Sequence, residues 1–156
     1  MKAAGLALLL AGCGVQSPCG PSNGKVVNIV DGDTVDLESG VRIRLLLVNT
    51  PETTGGKTDC FGQEAKAFTA AALDGKQVSL QYDPDAVCKD RFGRTLAYVS
   101  ADGKEVNTAL VKGGYACALY VSPGGMGRRT EFEDLESEAK TNRTGLWGAC
   151  TTVTCD

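Results

Sequence analysis

The chain has 156 residues and a formal net charge of −3, is 42% hydrophobic and 22% charged, and contains no histidine. That length and balance suit one domain around one core and exclude an intrinsically disordered chain. The missing histidine excludes Ser-His-Asp triads, Cys-His nucleophiles and His-ligated zinc, and the negative net charge confines any nucleic-acid binding to a local basic cluster.

Residues 1–13 read MKAAGLALLLAGC: one Lys, an apolar stretch, then Leu10-Ala11-Gly12-Cys13. This is the plan of a secretory signal peptide over residues 1–12, too short to span a bilayer as a helix. The last four residues have the form of a bacterial lipobox, which makes Cys13 the acylated first residue of the mature protein. The expected location is the bacterial cell envelope, lipid-anchored on the periplasmic or cell surface, or secreted. Residues 13–24 then form a lipidated N-terminus and a tether rich in Gly, Pro and Ser. Residues 25–150 form the folded domain, and residues 151–156 a tail. The other cysteines, Cys19, Cys60, Cys88, Cys117, Cys150 and Cys155, are an even set suited to disulfides in an oxidising compartment. Spacing leaves their pairing open, and without a close C-x-x-C pair zinc is disfavoured.

Lys25 to Val30 and Thr34 to Leu37 are β-rich and straddle the turn signal Asp31-Gly32-Asp33. After a second turn at Glu38-Ser39-Gly40, Val41 to Val48 (VRIRLLLV) is the strongest strand signal. Its alternation puts Arg42, Arg44 and Leu46 on one face and Ile43, Leu45 and Leu47 on the other. A polar loop over 49–60 precedes an Ala-rich helix from Gln63 to Leu73. Gln77 to Tyr82 and Arg94 to Ser100 are predicted strands around a loop over 83–93. Val106 to Lys112 is a short helix closed by Gly113-Gly114, Tyr115 to Val121 is extended, and Arg129 to Arg143 is an amphipathic helix. Asn142-Arg143-Thr144 fits a glycosylation pattern but is expected to be that helix's end. The fold class is α+β: a five-stranded Greek-key barrel of the OB type with about three helices.

Three polar clusters stand out. Asp31-Gly32-Asp33-Thr34 and Asn49-Thr50-Pro51-Glu52 flank the strong strand, which itself contributes Arg44. Asp33, Asn49 and Thr50 offer oxygen ligands suited to a hard cation such as calcium. Glu52, beyond the stiffening Pro51, is a candidate base for a water beside that cation. In Asp90-Arg91-Phe92-Gly93-Arg94 the arginines could grip phosphate through forked guanidinium bonds. Taken singly, these clusters are equally consistent with turns and a solvated surface.

The strings VDGDTVDL, IRLLLVNTPE, FGQEAKAF, DRFGRTLAYV, NTALVKGGYACALYV and EAKTNRTGLW occur in this order. The set resembles the staphylococcal nuclease (thermonuclease) family from about Lys25 to Trp147. The resemblance implies an OB-type barrel with three helices and calcium-dependent endonucleolytic hydrolysis of DNA and RNA to 3′-phosphates. By position it implies catalytic Arg44, Glu52 and Arg94. It implies metal binding by Asp33, Asn49 and Thr50, with Asp31 behind them, and nucleotide contacts from Arg91 and Tyr120. Asn49 stands where the family has a second carboxylate, so weaker calcium binding is expected, and Ser122 stands where another substrate-contacting Tyr is often found. Cys60 and Cys88, in loops flanking this site, are expected to pair. Cys19, Cys117, Cys150 and Cys155 would then tie the chain ends to the body. The expected partners are DNA and RNA and, through Cys13, a membrane; no protein partner is evident and a monomer is expected. The competing reading is a catalytically weak or inactive OB-type module that binds nucleic acid or a partner.

Overall fold

The computed structural model describes residues 17–153; the expected lipidation site Cys13 and the signal peptide lie outside them. Five strands close a barrel. β1 (Asn23–Asp31), β2 (Thr34–Leu37) and β3 (Arg42–Leu45) form an antiparallel meander, and β5 (Gln77–Gln81) pairs antiparallel with both β1 and β6 (Thr95–Ala101). The parallel ladder between β3 and β6 closes the ring, with Arg44 opposite Leu96. Two minor strands are added: β4 (Val48–Asn49), paired with β8 (Cys117–Ala118), and β7 (Lys104–Glu105), paired with β6. Helices α1 (Gly62–Leu73), α2 (Val106–Lys112) and α3 (Arg129–Thr141) pack on the barrel. This is the expected α+β OB-type architecture.

Alternation fills the barrel: Val26, Val35, Leu37, Ile43, Leu45 and Val99 are buried with Leu73 of α1, Leu110 and Val111 of α2 and Phe132 of α3. Each fully buried Leu or Phe removes apolar area worth about 1.5–3 kcal/mol from water. One buried polar side chain organises the closure. Asn107 of α2, fully buried, accepts from Val99 N at 2.9 Å and donates to Leu46 O at 2.9 Å and Ala97 O at 3.2 Å. It thereby ties α2 to β6 and to the end of β3.

The strand predicted over 41–48 stops at Leu45. Leu46 and Leu47 form a turn, and Leu47 takes a left-handed conformation (φ 62°). Burial decides this against the extended propensity of the run, because Leu46 and Leu47 are both buried and the reversal sends Val48 and Asn49 to pair with β8. The predicted extended run over 115–121 is likewise regular only at Cys117–Ala118. A short α4 (Leu146–Ala149), which the sequence did not signal, follows α3, and Asn142 caps α3 as its expected end.

The expected Cys60–Cys88 pairing is corrected. Cys88 is bonded to Cys19 and Cys60 to Cys150, and Cys117 is also disulfide-bonded. Topology explains the exchange. The β1–β5 pairing brings the segment before β1 beside the loop after β5, where Tyr82 Oη donates to Pro21 O at 2.7 Å. Cys60 instead lies just before α1, where α4 reaches it.

Candidate active site

The β1–β2 hairpin tip carries Asp31 and Asp33. It fits closely against Thr50, since a Cβ on Gly32 would come 2.7 Å from Thr50 Cγ2. Asp33 is 5% exposed. Its Oδ2 accepts from Thr50 N at 2.9 Å and Thr50 Oγ1 at 3.1 Å, and its Oδ1 accepts from Thr34 Oγ1 at 2.9 Å. Arg44, 8% exposed, meets Asp33 Oδ2 at 3.2 Å through Nη2, which also donates to Asn49 Oδ1 at 2.9 Å. The turn after β3 turns two carbonyls, Leu45 O and Val48 O, onto Arg44 Nη1. Burial pulls the Arg44 guanidinium below its ordinary pKa, and the charge of Asp33 opposes that shift. A buried cation is tolerated here because its bonds are nearly all satisfied.

Arg94 immediately precedes β6, across the barrel closure from Arg44. Asp90 holds it: Arg94 Nε donates to Asp90 Oδ2 at 2.7 Å and Arg94 N to Asp90 Oδ1 at 3.0 Å, while Arg94 Nη1 lies 3.4 Å from Thr34 Oγ1. Burial raises the Asp90 carboxyl, but its bonds to Arg94 hold it below the usual carboxylate range. Phe92, 67% exposed, lies beneath both Arg91 and Arg94, whose Cζ atoms are 4.8 and 5.3 Å from the ring centroid.

Glu52 follows Pro51 on the loop before α1. Its Oε1 accepts from Thr54 N at 2.9 Å and from Thr54 Oγ1. Asp31 lies behind it, with Oδ1 accepting from Gly32 N at 2.8 Å and Thr53 Oγ1 at 2.9 Å. Asp31 and Glu52 share a hydrogen bond. Burial first, and Glu52 second, push Asp31 up to about 6. The bond from Asp31, with help from Thr54, holds Glu52 down at about 2. Between those two values the more buried acid holds the proton and the outer one is ionised.

Asp31, Asp33, Arg44, Asn49, Thr50, Glu52 and Arg94 all line one cleft of about 540 Å³. The donor atoms available to a cation are all oxygen, as a hard ion requires. Among the described residues no group of three or more His, Cys, Asp or Glu is arranged to hold a metal. A cation would therefore rely on the Asn49 amide and Thr50 as well as on Asp33, a donor set that fits calcium with little negative charge. An apolar groove of about 560 Å³ adjoins the cleft, shares Arg44, Asn49, Phe92 and Arg94 with it, and adds Arg91, Leu96, Leu119 and Val121.

Tyr120 is not brought to either cavity. Its ring lies under Arg129, with Cζ 4.8 Å from the centroid, and its hydroxyl is 3.5 Å from Met126 Sδ. Strand-like alternation around β8 turns Leu119 and Val121 to the groove instead. Ser122, also at the groove, precedes a cis proline, Pro123. Three supporting roles were not legible in the sequence: Thr34 between Asp33 and Arg94, Asp90 behind Arg94, and Asp59 behind Glu52. Only Asp90, four residues from Arg94, had a spacing that could have suggested its role.

Residues 42–149 match the family model described as staphylococcal nuclease homologue. The chain belongs to the staphylococcal nuclease family. Within that family it is 34% identical over 128 residues to the thermonuclease of Staphylococcus hyicus, covering 79% of this chain and 74% of the relative. It is 38% identical over 149 residues to an uncharacterized protein of Methanocaldococcus jannaschii, covering 80% and 70%. It is 39% identical over 129 residues to an uncharacterized protein of Bacillus anthracis, covering 80% of this chain but spanning only 60% of that relative's length.

Proposed function

We propose that this protein is a calcium-dependent nuclease that hydrolyses phosphodiester bonds of DNA and RNA and leaves 3′-phosphates. The observation that carries this reading is the convergence of Asp33, Arg44, Glu52 and Arg94 on one cleft, and the thermonuclease relative supports it. Arg44 reaches the cleft from β3 and Arg94 from the residue before the paired β6, and they bind the phosphate from two sides. Glu52, ionised at neutral pH, takes a proton from water as the water attacks phosphorus in line with the 5′-oxygen. As charge builds on the equatorial oxygens, Arg94 meets it from a guanidinium already held by Asp90, and Arg44, with Nη1 fixed by the Leu45 and Val48 carbonyls, meets it through Nη2 by exchanging its bonds to Asp33 and Asn49. The bond to the 5′-oxygen breaks, that oxygen takes a proton from solvent to leave as a hydroxyl, and the phosphate stays on the 3′-oxygen. A calcium ion held by Asp33, Asn49 and Thr50 would polarise the water and the phosphoryl group. The apolar groove beside Arg91 and Phe92 suits a nucleobase.

By the same proposal the protein is a monomer of the bacterial envelope, lipid-anchored through Cys13 on the periplasmic or cell surface, or secreted. The disulfides support an oxidising compartment, and among the described residues no helix is long and apolar enough to cross a membrane.

The test is cleavage of DNA and RNA by the purified oxidised protein, with calcium or with chelator, followed by end-group analysis. Cleavage should require calcium, yield 3′-phosphate ends, and fall about 10²–10⁴-fold in kcat in Glu52→Ala and Arg94→Ala. Asn49, an amide already accepting from Arg44, favours a second reading, a catalytically weak or inactive binding module. Intact nucleic acid, bound at high protein concentration in the presence of calcium, would establish that reading and overturn the first.

A further inference from the structure

Glu52 sits at one end of an exposed loop, and its backbone is clamped from the other end. Asp59 N donates to Glu52 O at 2.9 Å, and Asp59 Oδ2 accepts from Glu52 N at 3.3 Å. Residues 54–58 between them are exposed. α1 starts hard against the same segment: a Cβ on Gly62 would come 3.1 Å from the carbonyl oxygens of Pro51 and Glu52. Cys60, next to Asp59, is bonded to Cys150. Cys150 caps α4, whose Leu146 is fully buried and donates its N–H to Gly114 O at 2.8 Å. The loop's far end is thus fixed covalently to a helix docked on the body of the protein.

We propose that the Cys60–Cys150 disulfide is a positioning bond for Glu52, acting through Asp59, and that a dithiol reductant lowers turnover by opening it. The inference rests on Glu52 being the group that activates water. The phosphate-binding side of the cleft does not depend on this bond: Arg44 is held by carbonyls of its own turn and Arg94 by Asp90. Opening the bond therefore loosens the base and leaves the phosphate grip in place. Cys60 is exposed, so the bond is open to thiol–disulfide exchange. A thiolate of the reductant attacks one sulfur to form a mixed disulfide, and its second thiol then displaces the protein. The reductant leaves as a cyclic disulfide, and two electrons and two protons remain on Cys60 and Cys150 as two thiols.

The experiment compares the oxidised wild type with the double variant Cys60→Ser/Cys150→Ser and with Asp59→Ala, which loses no cross-link. Both variants should lose about tenfold in kcat with KM for DNA within about twofold, as a displaced catalytic group predicts. In the double variant, hydrogen exchange should show lost protection at the Asp59 amide and unchanged protection at the barrel amides of Leu45 and Leu46. In the wild type, titration with a dithiol should lower turnover in step with alkylation of Cys60 and Cys150, and reoxidation should restore it. An oxidised wild type that cleaves no nucleic acid overturns the reading of the site. A wild type that cleaves, with variants of equal kcat and equal Asp59 protection, overturns the positioning. So does a turnover loss that tracks Cys19 and Cys88 instead.

Discussion

Arg44 shows how little freedom a buried functional side chain retains. Its Nη1 is committed to two carbonyls and its Nη2 is shared between Asp33 and Asn49. Sequence periodicity set it on the face opposite Ile43 and Leu45, and the structure supplies the partners that a buried charge there needs. Asn49 was recognisable as a departure from a carboxylate, but its bond to Arg44 was not, since it depends on the turn at Leu46-Leu47. That bond makes the cation side of the cleft poor in charge. Asn49→Asp is expected to lower the calcium concentration for half-maximal activity by about tenfold, the effect of roughly 1.4 kcal/mol from one added ionised ligand. Calcium titration of initial rates checks this. An unchanged midpoint would remove Asn49 from the cation site. Tyr120 is placed differently from its neighbours: Leu119 and Val121 line the groove, while the Tyr120 ring lies under Arg129.

The strands β1, β2, β5 and β6 and the three main helices lie close to where alternation and helical spacing put them. Those signals are local, and burial reinforces them. The end of β3 was hidden because three leucines in a row read as continued strand. Long-range pairing with β8 and the buried Asn107 decide that reversal, and neither leaves a local pattern. Cysteine pairing was hidden for the same reason, since it depends on which strands lie side by side. Asn107 is therefore the element-scale test. Asn107→Ala leaves Val99 N, Leu46 O and Ala97 O without that partner in a dry interior. It is expected to cost about 2–4 kcal/mol in denaturant unfolding and to lower kcat by loosening the turn that holds Arg44. Loss of stability with full activity would separate the two roles.

On the scale of the whole molecule, a net charge of −3 sets a limit on attraction for a polyanion. Arg44, Arg91 and Arg94 gather at the cleft and groove, whose linings also carry Arg42, Lys57 and Lys89, whereas α3 presents several glutamates elsewhere. Binding should follow the few phosphates that those arginines touch. With about three contacts, log K for single-stranded DNA is expected to fall with log salt at a slope of roughly −2. Binding of Glu52→Ala to labelled oligonucleotides across a salt series measures it, and a slope twice as steep would add Arg42, Lys57 and Lys89 to the contacts. The two disulfides described here also overlap along the chain. Cys19–Cys88 brackets the stretch up to residue 88, and Cys60–Cys150 brackets the stretch from residue 60 onward. A protease that cuts any one peptide bond between Cys19 and Cys150, including those of the exposed Gly55-Gly56 loop, leaves a single covalent molecule. Clipped protein should run intact on a non-reducing gel and separate into two fragments only when thiols are added.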